Sequence, residues 1–245
     1  LSGSKVTSTL FEHLSTMTSL KWLDVGFSLV TDDGFEHLSQ LANLEHFGFG
    51  GNKMSGVALP LLKLLPSLKS LNVAGFPRTD SGLWGLAISD FNLESIATLT
   101  QLEQLDLGLM KLSDRGLSLL KPLTKLQVLR LDGTQISGDG LSTLEAMPDL
   151  RRLYLWKAAK VDDAAAPHLA KLTRLEVADL AETSVGGKTL DALAALPSLK
   201  AVYVGGTRVT EDEVAGFRKK RPDCQVTFST PFTPPTSKAK GTEPD

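Results

Sequence analysis

The chain has 245 residues, 42% of them hydrophobic, and a formal net charge of −2, the profile of a globular protein long enough for one large domain. The near-neutral balance argues against nucleic-acid binding, which calls for a basic excess, and no apolar run of about 18 residues exists for membrane insertion. A single cysteine, Cys224, excludes an internal disulfide and a zinc site of several thiolates; it is expected in the core.

The chain opens on "LSGSKVTSTL", with neither an initiator Met nor an apolar signal segment, so an excised piece of a longer protein is expected. Leu1 lies 24 residues before Val25, and "LSGSKVT" fits the back half of a unit that then recurs. The segments "LKWLDV", "LEHFGF", "LKSLNV", "LEQLDL", "LQVLRL", "LRRLYL", "LEVADL" and "LKAVYV" begin at Leu20, Leu44, Leu68, Leu102, Leu126, Leu150, Leu175 and Leu199. The steps are 24, 24, 34, 24, 24, 25 and 24, and "CQVTF" begins 25 residues after Leu199, at Cys224. In each segment apolar anchors alternate with outward positions, which is strand period. A T/S-x-V/I box and a short helical stretch follow, as in "SLVTDDGFEHLSQL", where Phe35, Leu38 and Leu41 recur every third residue. Thr31 or Ser113 is expected to cap its own helix, with Asp32 or Asp114 favouring the positive end. "LLPSL", "AMPDL" and "ALPSL" mark the return to the next strand.

The 34-residue unit carries the box twice, "TDSGL" at Thr79 and "SDFNL" at Ser89, which predicts an insertion over 79–88 bulging from the rim or convex side. "WKAAKV" holds one extra residue, a bulge expected to widen the rim. In "EVAGFRKKRPDCQVTF" Lys and Arg replace helix leucines, predicting a C-terminal cap over 210–228 whose basic run is a solvated face. Residues 229–245 are rich in Pro, Thr and Lys and read as a disordered tail.

No single unit can bury its leucines; stacking does so, with parallel strands on one side and helices on the other. The pattern GT-x-V/I-[ST]-D-x-GL-x-x-L-x-x-L resembles leucine-rich repeat proteins, in particular bacterial members related to the ribonuclease-inhibitor-like group, over nearly all of 1–228. The resemblance implies an α/β leucine-rich-repeat solenoid of about nine repeats, with a curved parallel sheet on the concave face and short helices on the convex face. One position departs from it. Where many such repeats place Asn after the strand, this chain has Ser4, Ser28, Asn52, Thr134, Thr183 and Thr207, and Phe76 and Met110 flank the insertion. Hydroxyls can make a shorter ladder; Phe76 and Met110 cannot, so local irregularity is expected there.

Outward positions select the candidate site. In "LRRLYLWKAAKV" these are Arg152, Tyr154 and Trp156, with Lys157 next. Strands lie about 5 Å apart, so Arg130 and Asp179 flank Tyr154, Asp132 and Ala181 flank Trp156, Val128 and Val177 flank Arg152, and Tyr203 lies beyond Asp179. Trp, Tyr and Arg are the types that dominate binding energy at interfaces, and rings left exposed are costly. The competing reading is that Arg130, Tyr154 and Asp179 simply pair with one another. A second cluster joins Trp22, Asp24, Phe27 and His46.

Other chemistry is weaker. Asp24, His46 and Ser70 imitate an acid–base–nucleophile order, on an open surface without an oxyanion hole. "FEHLS" occurs twice, so His13 with Glu12 and His37 with Glu36 reflect duplication more readily than a metal site. Asp106, Asp132 and Asp179 come from separate strands, unlike a calcium loop, and "VGGK" lacks phosphate-loop spacing. The sequence therefore predicts a monomeric, non-catalytic recognition module with no cofactor and no metal. A protein partner is expected on the concave face at Arg130, Asp132, Arg152, Tyr154, Trp156, Lys157, Asp179 and Tyr203. The alternative is a glycan-binding surface of an exported or cell-envelope protein.

Overall fold

The computed structural model describes residues 1–75 and 89–229. The expected insertion at 79–88, Phe76, and residues 230–245 of the expected tail lie outside them. Among the described residues, strands β1 (Trp22–Asp24), β2 (His46–Gly48), β3 (Ser70–Asn72), β4 (Gln104–Asp106), β5 (Val128–Arg130), β6 (Arg152–Tyr154), β7 (Val177–Asp179), β8 (Ala201–Tyr203) and β9 (Gln225–Thr227) form one nine-stranded sheet in sequence order. All pairs are parallel, and the central residues Leu23, Phe47, Leu71, Leu105, Leu129, Leu153, Ala178, Val202 and Val226 pair in succession. A slip of one residue would turn this inward row to solvent, so the apolar pattern fixes the register. The irregular units keep it: Ser70 pairs with Gln104 and Arg152 with Val177. The extra residue of the 25-residue unit is absorbed beyond the strand, where Ala158 N–H donates to Leu155 O and Val161 N–H to Ala158 O, each at 2.9 Å. It leaves the strand pairing on both sides undisturbed.

The opposite layer holds short helices: α1 (Leu10–Leu14), α2 (Leu93–Ala97), α3 (Asp114–Leu119), α4 (Ala166–Leu169), α5 (Gly187–Ala194) and α6 (Glu211–Lys220). In other units 3₁₀ turns take that place, at Phe35–Gln40, Leu59–Leu64 and Asp139–Ala146. Three-residue apolar spacing suits them, because a 3₁₀ turn aligns side chains i and i+3. The leucine anchors between the layers are buried. In the first units the core is aromatic: Phe11, Phe35, Phe47 and Phe49 pack edge-on or tilted, with centroids 4.9 to 6.2 Å apart.

Seven of the strands, all but β3 and β9, are followed by the same turn. One residue of it is left-handed, at Phe27, Gly51, Leu109, Gly133, Lys157, Glu182 and Gly206, with φ between 53° and 71°. A side chain there costs about 1–2 kcal/mol, yet four of these residues carry one. Neighbouring glycines give them room: a Cβ built on Gly51 or Gly133 would lie 2.5 Å from Phe27 or 2.6 Å from Leu109.

The hydroxyl ladder forms within repeats. Ser28, Thr134, Thr183 and Thr207 each donate to the carbonyl three residues earlier, at 2.5 to 2.7 Å. Asn52 alone bridges two repeats, donating to Val25 O and Phe49 O and accepting from Ser28 N–H at 2.8 Å. Met110 is buried, and Leu109 before it keeps the common left-handed turn. The backbone expected to be irregular at Met110 therefore is not, because apolar burial substitutes for the missing bond.

Helix capping differs from expectation. Thr31 and Ser113 do not cap their own helices; the carboxylate beside each box reaches the following repeat. Asp32 accepts from Ser55, Gly56 and Ala58 N–H, and Asp114 from Ser137 N–H and Oγ. Asp163 accepts from Gly186 N–H at 2.8 Å, Thr189 N–H at 3.1 Å and Thr189 Oγ1 at 2.7 Å. Burial pushes the Asp163 carboxyl up, but these bonds and nearby Lys188 outweigh it and hold it below the usual carboxylate range.

In the last unit Thr210 and Glu213 form a capping box on α6. The basic run there is largely engaged. Arg221 donates to Leu199 O at 2.8 Å, to Leu196 O and to Asp223, and Lys220 pairs with Asp191 at 2.7 Å. Cys224 is buried, and burial raises its thiol pKa.

Candidate functional site

The concave face is read across three rows, set by the two-residue period of the strands. The first row runs Trp22, His46, Ser70, Gln104, Val128, Arg152, Val177 and Ala201. The second runs Asp24, Gly48, Asn72, Asp106, Arg130, Tyr154, Asp179 and Tyr203. The third, just past the strands, holds Gly26, Gly50, Ala74, Gly108, Asp132, Trp156, Ala181 and Gly205. Aspartates of the second row fold back on the chain: Asp24, Asp106 and Asp179 accept from the N–H groups of Gly26, Gly108 and Ala181 at 2.8, 2.9 and 3.1 Å. Asn72 makes the same bond to Ala74 at 3.0 Å. These turn bonds support the strand ends and engage Asp106 and Asp179, two of the three aspartates weighed for calcium.

Arg130 lies at the centre. Its Nη2 donates to Asp132 Oδ2 at 2.7 Å, its Nε is 3.6 Å from Asp106 Oδ2, and its guanidinium stands 4.2 Å over the Tyr154 ring. Asp132 is only 6% exposed, and its other oxygen accepts the Trp156 backbone N–H at 3.0 Å. Trp156 Nε1 donates to Glu182 at 3.1 Å, and Lys157 lies 4.2 Å over the indole while reaching Glu182 at 3.6 Å. Tyr154, Trp156, Asp179 and Tyr203 are half-buried. The rings of Tyr154 and Trp156, expected to be exposed, are thus partly covered, because neighbouring charged side chains pack on them.

Arg152 is different. It is exposed between Val128 and Val177, and its guanidinium has no hydrogen bond or ion pair among the described residues. Burial holds the Asp106 and Asp179 carboxyls above their usual range, against the turn bonds and Arg130.

A row just before the strands, unnoticed in the sequence, alternates in charge. Glu45 sits between Lys21 and Lys69 at 3.1 and 3.0 Å, and Glu176 between Arg151 and Lys200 at 2.7 Å each. Its signal was the residue after each first leucine: K, E, K, E, Q, R, E, K.

At the other end of the sheet Trp22 is 65% exposed and stacks on His46, with centroids 3.4 Å apart and planes 8° off parallel. His46 Nδ1 is 2.8 Å from Ser70 Oγ. Burial lowers the imidazole pKa, opposed by Asp24. Asp24 is turned to Gly26, and the acid–base–nucleophile order stops at two residues. Among the described residues no three His, Cys, Asp or Glu side chains converge as metal ligands, and no helix is long and apolar enough to cross a membrane.

A sheet of short parallel strands in sequence order, with a helical turn between successive strands and a recurring side-chain bond past the strand ends, decides the architecture. The fold is the leucine-rich repeat. Solved structures agree. Internalin C2 of Listeria monocytogenes superposes with a TM-score of 0.63 at 23% identity, over 88% of this chain and 84% of that one. A leucine-rich repeat protein of Leptospira interrogans gives 0.58 at 16% identity, over 89% of this chain and 51% of that one. The chain thus spans about half of the second protein. At these identities the likeness is one of fold. No protein-family model matches the sequence, and neither does any curated protein. In this leucine-rich repeat solenoid the eight residues singled out from the sequence fall on one stretch of concave sheet, β5–β8 and the turns after β5 and β6. Their roles divide: Arg130 and Asp132 hold the surface together, and Arg152 stands free on it.

Proposed function

We propose that this leucine-rich repeat solenoid is a non-catalytic recognition module that holds a protein partner on the concave face of β5–β8. The observation that carries the reading is a rigid aromatic pair beside an unpaired arginine. Tyr154 is fixed beneath Arg130 and Trp156 between Glu182 and Lys157, so little rotamer freedom is left to lose on binding. Arg152 on the same strand offers a directional charge. The fold of the solved relatives supports a platform role and does not identify the face.

The test recovers ligands from a lysate of the source organism on immobilised chain and titrates them against Trp156→Ala. An anchor role predicts a loss of about 2 kcal/mol, roughly thirtyfold, and weakening with salt. Undiminished binding removes the site from β5–β8.

A second reading has its own observation. Trp22, held flat on His46, presents an open indole face on which a sugar ring can stack. A glycan ligand would be lost in Trp22→Ala, unaffected by Trp156→Ala and nearly indifferent to salt. A glycan array probed with the wild type and both variants separates the two.

A further inference from the structure

Charges on the concave face of β5–β8 are segregated along the strands. At the strand-start edge Arg151 and Lys200 share one carboxylate, Glu176, and Arg152 beside them has none among the described residues. At the strand-end edge Arg130 reaches two carboxylates, Asp132 and, at the end of neighbouring β4, Asp106, while a third, Asp179, lies near without an ion pair to it. Half-buried Val128, Val177 and Ala201 stand in the same row as Arg152, and half-buried Tyr154 and Tyr203 in the same row as Arg130 and Asp179. The surface is therefore a dipole with apolar side chains set among its charges, cationic where the strands begin and anionic where they end. Local pairing leaves an excess on both sides, and at the cationic edge that excess is localised. Arg151 and Lys200 are both bonded to Glu176, whereas the Arg152 fork is unused. An exposed, unpaired arginine set between two valines is well placed to take a carboxylate in a two-pronged contact.

We infer that Arg152 receives an acidic side chain of the protein partner, flanked by apolar residues that cover Val128 and Val177, and that a basic residue of the same segment lies toward the strand-end carboxylates. The inference rests on the reading that β5–β8 bind a protein, and it adds the partner's chemistry and its orientation. Positions two residues apart on a strand are about 7 Å apart, so the acidic and basic groups of the partner are separated by about that distance. Complementarity of this kind fixes register and speeds encounter.

The probe is a random peptide library displayed on phage and selected on the intact chain. Expected winners carry Asp or Glu beside aliphatic or aromatic residues, and lose affinity about tenfold or more against Arg152→Gln. Selection on Arg152→Glu should return winners with a basic residue in place of the acidic one. Arg152 is exposed, so both variants should keep the wild-type melting temperature, which is checked first. Winners without acidic enrichment, winners that bind Arg152→Gln as tightly, or a selection that yields none overturn the inference. If winners weaken in Trp156→Ala and not in Arg152→Gln, only the inference falls. If they ignore both variants, the concave-face reading falls with it.

Discussion

The first and last units of the solenoid use aromatic residues in opposite ways. Around β1–β3 four phenylalanines fill the space between sheet and helices, and the second-row positions outside are Asp24, Gly48 and Asn72. Around β6–β8 the inward strand residues are Leu153, Ala178 and Val202, and Tyr154, Trp156 and Tyr203 stand on the outer surface. The backbone register is the same in both regions. Inward and outward positions are therefore independent: the first kind fixes the repeat, and the second can be rewritten without disturbing it. Trp22 marks the limit of the contrast, an outward ring in the first region, stacked on His46 and mostly exposed, whereas the Trp156 ring is held between Glu182 and Lys157.

The strongest way to break the comparison is from the inside. Phe47→Ala removes a fully buried ring that touches Phe11, Phe35 and Phe49 and should cost about 3–5 kcal/mol in urea unfolding. A cost near zero would mean that the aromatic cluster is loosely packed.

Asp163→Ala tests the links between repeats. It strips two backbone N–H groups and one hydroxyl of their acceptor, and should cost about 2 kcal/mol. The link is also pH-dependent. The Asp163 carboxyl lies below its usual range when folded, so its contribution is complete above the unfolded-state pKa and is lost as pH falls through the lower folded value. The wild type should therefore lose more stability than Asp163→Asn on acidification; parallel curves would remove the argument.

The outer surface should respond less. Trp156→Ala loses one exposed hydrogen bond, one cation contact and partial ring burial, for about 1 kcal/mol, while Trp22→Ala should cost about 0.5 kcal/mol or less. Thermal melts of the two variants side by side would sharpen the contrast; equal losses would erase it.

Asp106→Asn should have the smallest effect at neutral pH, with a melting temperature equal to or slightly above that of the wild type. Burial raises the folded pKa of Asp106, so ionisation costs stability as pH rises through that value, a cost absent below the unfolded-state pKa. Asn72 already makes the same turn bond with an amide. A marked drop would show that the Arg130 contact outweighs burial.

The leucine anchors made the sheet, its order and its register legible, because burial repeats at a spacing that neither the 34- nor the 25-residue unit disturbs. Outward residues were legible as neighbours for the same reason. Their partners were not. Arg130 could be placed beside Tyr154 from the alternation, but its hold on Asp132 and Asp106 depends on side-chain reach across two strands. Asp32 and Asp114 were assigned to their own helices because capping rules are written within one helix, whereas they and Asp163, which the sequence did not single out, act at sequence separations of 23 to 26. The left-handed turn at Phe27, Leu109, Lys157 and Glu182 was invisible, since residue type favours glycine there and only the neighbouring repeat makes room for a side chain.

Those aspartate links also give the solenoid a direction in time. Each carboxylate belongs to the earlier repeat and each N–H it receives to the later one. A chain emerging from the ribosome is made in that order, at about 5–20 residues per second. When the segment around Gly186 and Thr189 emerges, Asp163 has already been made, and the new helix can form against an acceptor that is waiting for it. Growth in the opposite direction would leave each new loop with donors and no acceptor until a further repeat was added.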